Sequence, residues 1–335
     1  MDRQCPPEII ELIVKASLDP VDRDFFPTGV FGRYSILKCY SLLNSTWREV
    51  CKPSLYKVVF FMSERAASEF VRVAAGQGGA IGGVETMNID CYRWSDRRPI
   101  ALLQCVTKLQ SLILHDALFH AEDLTNLHRL TNLTLFGCTV TPASPSTRLP
   151  IRHLRTTFSS RSTSLQSLLT PDVLPNLREL DFENAYWVDL TAILPQLSAL
   201  QLYGDPVVRS FPLALSPRLL SLYTTDFNGL LPSSLPHFLL LRSTYQERQL
   251  VLVQALQYHV ANPKTGVKTI FVDCGLKEDP LHVAKINRLI VELGSKGIVV
   301  ERGHFTFSEA IRRMDAILLT EKEAAERREW AGVRG

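Results

Sequence analysis

The chain has 335 residues, 46% of them hydrophobic, enough for two or three domains of ordinary size and a core that needs no covalent staples. Its 37 basic and 34 acidic residues leave a net charge of +3, which gives no electrostatic reason to expect nucleic acid or an anionic membrane as partner. The seven cysteines, Cys5, Cys39, Cys51, Cys91, Cys105, Cys138 and Cys274, are odd in number and form no C-x-x-C pair. Neither a disulfide framework nor a four-cysteine zinc site is expected from them. Acidic and proline residues fill Met1 to Glu11, unlike a signal peptide, and the apolar runs are too short for a bilayer. The expected location is cytoplasmic or nuclear.

The first helix is expected over residues 6–17. Pro6 and Pro7 can open it, because a missing N–H costs nothing in the first turn, and Glu8 suits the positive end of the helix dipole. Ile9, Leu12 and Ile13 then share one face. Asp19 to Gly32, with two prolines and two glycines, reads as a loop. A second helical pattern runs from Ser35 to about Val50, and Asn44, Ser45 and Thr46 mark where it breaks in two. Pro53 is expected to stop helical structure, with a strand over Leu55–Phe60.

Three blocks here, Pro6-Pro7-Glu8-Ile9-Ile10, Cys39 to Trp47 and Pro53 to Val59, stand in the order of the F-box of fungal F-box proteins, which this segment resembles. Cys5 replaces the usual leucine of the opening block, Tyr40 stands beside Cys39 in the central one, and the Asp19–Gly32 loop is longer than the common form. The resemblance covers roughly residues 4 to 60. It implies a helical domain that binds a Skp1-type adaptor and so joins a cullin-based ubiquitin ligase complex, while the remaining chain recruits a protein substrate. Docking is then expected of Pro7, Ile9, Ile10, Leu12, Leu42 and Leu43, because so small a domain cannot bury all its apolar side chains. Trp47 is assigned to the core. The competing reading makes residues 6–60 a helical cap on a repeat array.

From Val84 onward the chain carries a recurring L-x-x-L-x-L pattern. Its fourth position falls on Met87, Leu112, Leu133, Leu154, Leu180, Leu200 and Leu222, in steps of 20 to 26 residues. These steps lie within the leucine-rich-repeat period. Each copy reads as a short strand whose alternate residues face the core, so Leu112 and Leu114 point in while Ser111 and Ile113 point out. Beyond residue 224 the regularity fades. Strands are expected at Leu235–Leu241, Lys268–Val272 and Gly297–Val300, with helices over Gln246–His259, Leu281–Leu293 and Phe307 to about Trp330. An earlier helix is expected at Glu64–Ala75.

The fold class expected is therefore α/β: a short N-terminal helical F-box-like domain (1–60), an irregular leucine-rich-repeat solenoid or horseshoe (61–305) and a C-terminal helix (306–335). Target recognition is expected of outward strand positions, chiefly Arg155, Glu179, Asp181, Gln201 and Tyr223, with no cofactor, metal or catalytic residue. Gly76–Gly83 lacks the Gly-Lys-Ser/Thr ending of a phosphate loop and precedes a strand instead of coming after one. His115, Asp116, His120, Glu122 and Asp123 lack a metal-ligand spacing, and no paired-carboxylate or nucleophile motif occurs. The functional expectation is the substrate-recognition subunit of a ubiquitin ligase; the alternative is a repeat scaffold without a ligase role.

Overall fold

A computed structural model of the chain describes residues 6–17, 28–77, 83–141, 144, 146–157, 165–183, 189–203, 218–223, 237–242, 248–261, 266–273 and 280–332. Among these residues are eight α-helices and an eleven-stranded parallel sheet, with a separate two-stranded sheet beside it. The strands of the large sheet stand in chain order, so each pairs with the strand before and after it among those of that sheet. This overturns the expected helical F-box-like domain followed by an irregular leucine-rich-repeat horseshoe. The first strand continues from the third helix without a linker, and the sheet extends through the part of the sequence where the repeat pattern faded. The chain clusters into two compact units, residues 1–155 with 162–176, and residues 156–161 with 177–335.

In the first unit, α1 (Pro7–Ser17), α2 (Thr28–Ser41) and α3 (Ser45–Lys57) surround a small core of Ile10, Val14, Leu37 and Cys51, flanked by Tyr40, Trp47, Val50 and Leu55. The predicted break is where the sequence put it. Asn44 caps α3, its side-chain oxygen accepting from Trp47 N at 3.1 Å. Two expectations fail here. The second helix begins at Thr28, inside the expected loop, and α3 runs through Pro53 to Lys57. A proline ring removes one helical donor but leaves the surrounding bonds in place, so burial of neighbouring residues outweighs its cost.

The strands β1 (Val58–Phe61), β2 (Thr86–Asp90), β3 (Ser111–His115), β5 (Asn132–Phe136) and β7 (His153–Thr157) come next, with α4 (Glu64–Gln77) and α5 (Ile100–Cys105) between them. The small sheet pairs β4 (Leu118–His120) with β6 (Thr139–Thr141). Met87, Leu112 and Leu133 align across β2, β3 and β5, as their spacing predicts, and all are buried. Ile113, expected to face outward, is buried too. Gly137 turns the chain after β5 with φ +62°, where a Cβ would lie 2.8 Å from Asp116 Oδ1, so a side chain there would be strained twice over.

The second unit holds β8 (Glu179–Glu183), β9 (Ala199–Tyr203), β10 (Leu219–Tyr223), β11 (Phe238–Arg242), β12 (Thr269–Asp273) and β13 (Val299–Gly303), with α6 (Arg248–Ala261), α7 (Pro280–Ser295) and α8 (Phe307–Gly332). Leu180 and Leu200 align, but their partner on β10 is Leu220, not the predicted Leu222. The Leu-Leu-Ser-Leu run offers two overlapping fits to the pattern, and the core accepts the earlier one. Both faces of β9, β11 and β12 are buried, as in sheets covered on each side. Phe307, Ala310, Ile311, Met314, Ile317 and Leu318 form one stripe of α8 and pack on Ala199, Leu219, Phe238, Leu240 and Phe271. Thr306 starts that helix, its hydroxyl accepting from Glu309 N at 3.1 Å.

His259 of α6 is fully enclosed, and neither ring nitrogen has a hydrogen-bond partner among the described residues. Burial lowers its pKa from 6.5 to about 4. The unfolded chain then binds a proton that the folded chain refuses, so stability declines as pH falls below 6.5, and this loss levels off once pH has passed below about 4. The loss should approach roughly 3 kcal/mol at about 1.4 kcal/mol per pKa unit. A His259→Leu variant should flatten that part of the stability–pH curve, read by urea unfolding between pH 7 and 4. An unchanged slope would place the acid sensitivity elsewhere.

Candidate functional site

The structure sorts the expected docking residues into two groups. Ile10 is 1% exposed and belongs to the three-helix core, so it cannot dock a partner without unfolding α1. Ile9 (45%), Leu12 (62%), Ile13 (38%), Leu42 (70%) and Leu43 (60%) are exposed, and Pro7 is exposed beside them in sequence. The helical period explains the division. Ile10 and Val14 lie four residues apart on the buried side of α1, while Ile9, Leu12 and Ile13 fall on the other. Leu42 and Leu43 sit in the turn between α2 and α3, where Leu42 N and Leu43 N donate to the Cys39 and Tyr40 carbonyls. Trp47 is half-buried against that core, its ring centroid 5.1 Å from that of Tyr40.

The expected target-binding residues lie on strands whose alternation puts them opposite the leucines. In the first unit, Arg155 places its guanidinium 5.6 Å from the Phe136 ring centroid, and His115 stacks on the same ring at 4.7 Å. Burial lowers the His115 pKa, against the opposing pull of Asp90 and Asp116. In the second unit, Glu179 and Asp181 are half-buried. Gln201 is 1% exposed, which corrects the expectation that it faces a partner. The side chain of Tyr223 lies outside the described residues.

Gln201 belongs to a polar network that runs from the middle of β9 and β10 to the carboxyl ends of β9, β11 and β12. Its Nε2 donates to Tyr203 Oη at 2.7 Å, and its Oε1 accepts from Ser221 Oγ at 2.9 Å and from Arg242 Nη1 at 3.5 Å. Arg242 Nε donates to Asp273 Oδ2 at 3.3 Å, and His304 Nδ1 lies 3.2 Å from Asp273 Oδ1. Asp273 and Ser221 are buried, whereas His304 is exposed. The register places Gln201 beside Ser221 and, two residues further along the strands, Tyr203 beside Tyr223 and Tyr223 beside Arg242, so the network spans two levels of the sheet. Sequence reasoning missed Arg242, Asp273 and His304. Their signal was positional, since each stands within or just beyond the last residues of a strand, where ligands of open α/β sheets gather.

Among the described residues no serine or cysteine bonds to the His304 imidazole that lies against Asp273. Burial pushes the Cys91 and Cys138 thiols up to about 12, so neither is a thiolate at neutral pH. No group of three or more metal-binding side chains converges among the described residues. Members of the His115–Asp123 stretch are engaged locally: His120 N donates to Asp123 Oδ2 at 2.8 Å, and Glu122 Oε1 accepts from Ser144 N and Thr147 Oγ1. Most of the glycine-rich stretch, residues 78–82, lies outside the described residues. Among the described residues no helix is long and apolar enough to cross a membrane. No family model matches the chain, and no curated protein matches it either.

Proposed function

We propose that the chain is a recruiting subunit without bond chemistry of its own, which docks a Skp1-type adaptor of a cullin-based ubiquitin ligase and holds a target protein. The exposure of Ile9, Leu12, Ile13, Leu42 and Leu43 carries this reading. Five large apolar side chains on and between three short helices cost solvation free energy unless a partner covers them, each by about 1.5–3 kcal/mol when fully buried. The resemblance of Pro6–Ile10 and Cys39–Trp47 to fungal F-box segments supports the choice of adaptor.

Isothermal calorimetry of the full chain with a Skp1-type adaptor tests the reading. Leu12→Asp with Leu43→Asp replaces exposed side chains, so circular dichroism should be unchanged while affinity falls at least a hundredfold. Lack of binding by the native chain, or equal binding by the variant, would remove the ligase role and leave a scaffold.

A further inference from the structure

The residues just before β8 to β12 of the second unit stand at one level of the sheet. Arg178 precedes β8, Ser198 β9, Arg218 β10, His237 β11, and Lys268 β12. The pairings set Glu179, Ala199, Leu219, Phe238 and Thr269 in register. Backbone bonds extend that alignment one residue back. Ser198 N donates to Arg178 O at 2.7 Å, Leu219 N to Ser198 O at 3.0 Å, Phe238 N to Arg218 O at 3.2 Å and Lys268 N to His237 O at 2.8 Å. Neighbouring strands lie about 4.8 Å apart, so Arg178, Arg218, His237 and Lys268 are strung along about 19 Å of the sheet's amino edge.

All four side chains are exposed, and among the described residues none makes a salt bridge. Arg178 Nη1 donates to the Gln196 carbonyl at 3.1 Å. Arg218 acts electrostatically on Asp315 of α8 without pairing with it. The equivalent level of the first unit is different in kind. There the series is Lys57, Glu85, Gln110, Thr131 and Arg152, and Lys57 Nζ lies 3.0 Å from Glu85 Oε2. One edge is internally neutralised; the other is a row of basic groups, fixed in spacing by backbone pairing, with no acidic residue among its five positions.

We propose that this edge of the second unit is a docking strip for an extended acidic peptide of a partner protein. Acidic side chains on one side of an extended strand recur about every 6.8 Å, so three or four of them match the strip's length. A nucleic acid fits less well, because the row holds no Phe, Tyr or Trp on which bases could stack and the chain's net charge is only +3. The strip does not depend on adaptor docking, which uses residues of the first unit.

The test is fluorescence anisotropy of the full chain with a labelled eight-residue peptide alternating Glu and Ser, at low and at physiological salt. Binding should weaken at least tenfold between the two salt conditions. The variant R178E/R218E/K268E should lose binding at least thirtyfold at low salt, with circular dichroism unchanged. A charge-matched control, K285E/R288E/R312E, should lose less than threefold. Absence of binding at low salt, or equal losses in the two variants, would overturn the proposal. Tighter binding of a single-stranded oligonucleotide of equal charge would also overturn it, in favour of nucleic acid. If the triple variant misfolds, the single substitutions R178A and K268A, each expected to weaken binding about threefold, decide the matter.

Discussion

Replacing Asp273 by alanine should destabilise the second unit by about 3–5 kcal/mol, the cost of breaking a buried ion pair from one side. Asp273 Oδ2 accepts from Arg242 Nε at 3.3 Å, and the two side chains are 9% and 17% exposed. Removing the carboxylate takes from a nearly buried guanidinium its charged acceptor, and the bond to Gln201 Oε1 at 3.5 Å is too long to replace it. It also releases His304, which stands shortly before the start of α8. The paired change Asp273→Leu with Arg242→Met removes both charges and should cost less than the single change, because no ion is left unpaired. Urea unfolding of the three proteins decides this. If the double variant is the least stable, the network contributes net favourable energy and is more than a matched pair of buried costs.

Truncating Leu112, Leu133 or Leu200 to alanine should cost about 2–5 kcal/mol each, because each is a fully or almost fully buried side chain whose loss leaves a cavity. Ser111→Ala and Thr134→Ala, at half-buried positions on the opposite face, should stay within about 0.5 kcal/mol. Alternation alone would group Gln201 with these tolerant positions. The network moves it out of that group, and Gln201→Ala should cost about 1–3 kcal/mol by removing the buried acceptor of Ser221 Oγ and the bond to Tyr203 Oη. Equal losses at Leu200 and Thr134 in chemical denaturation would mean that the register is wrong.

The contrast between Gln201 and Leu112 shows what the sequence makes legible. Leu112 and Leu133 could be placed because pairing in this sheet joins sequence neighbours, so a constant step along the chain is also a constant step across the strands. The second face of β9–β12 could not be read that way. What buries it is α8, roughly a hundred residues after β9, and no local pattern announces which surface a distant amphipathic stripe will cover. Arg242, Asp273 and His304 share the problem: they meet because strand ends coincide, while 31 residues separate each successive pair in the chain. Pro53 misled for the opposite reason. Its local rule is strong, yet the helix that contains it is held by Cys51 and Leu55 against the three-helix core. Within the docking helices, the period predicted which side chains share a face, but only the packing of Ile10 against Leu37 and Cys51 decided which face turned inward.

The seating of α8 also has a consequence for how the molecule is made. As the chain leaves the ribosome, β8 to β12 can pair one after another, each with a strand already synthesised. Leu219, Phe238, Leu240 and Phe271 then lie bare on one side of a nascent sheet until Phe307, Ile311 and Met314 emerge to cover them. For that interval the growing polypeptide presents a sticky surface to its surroundings, and a ribosome that stalled between β12 and α8 would leave a product suited to chaperones or to aggregation.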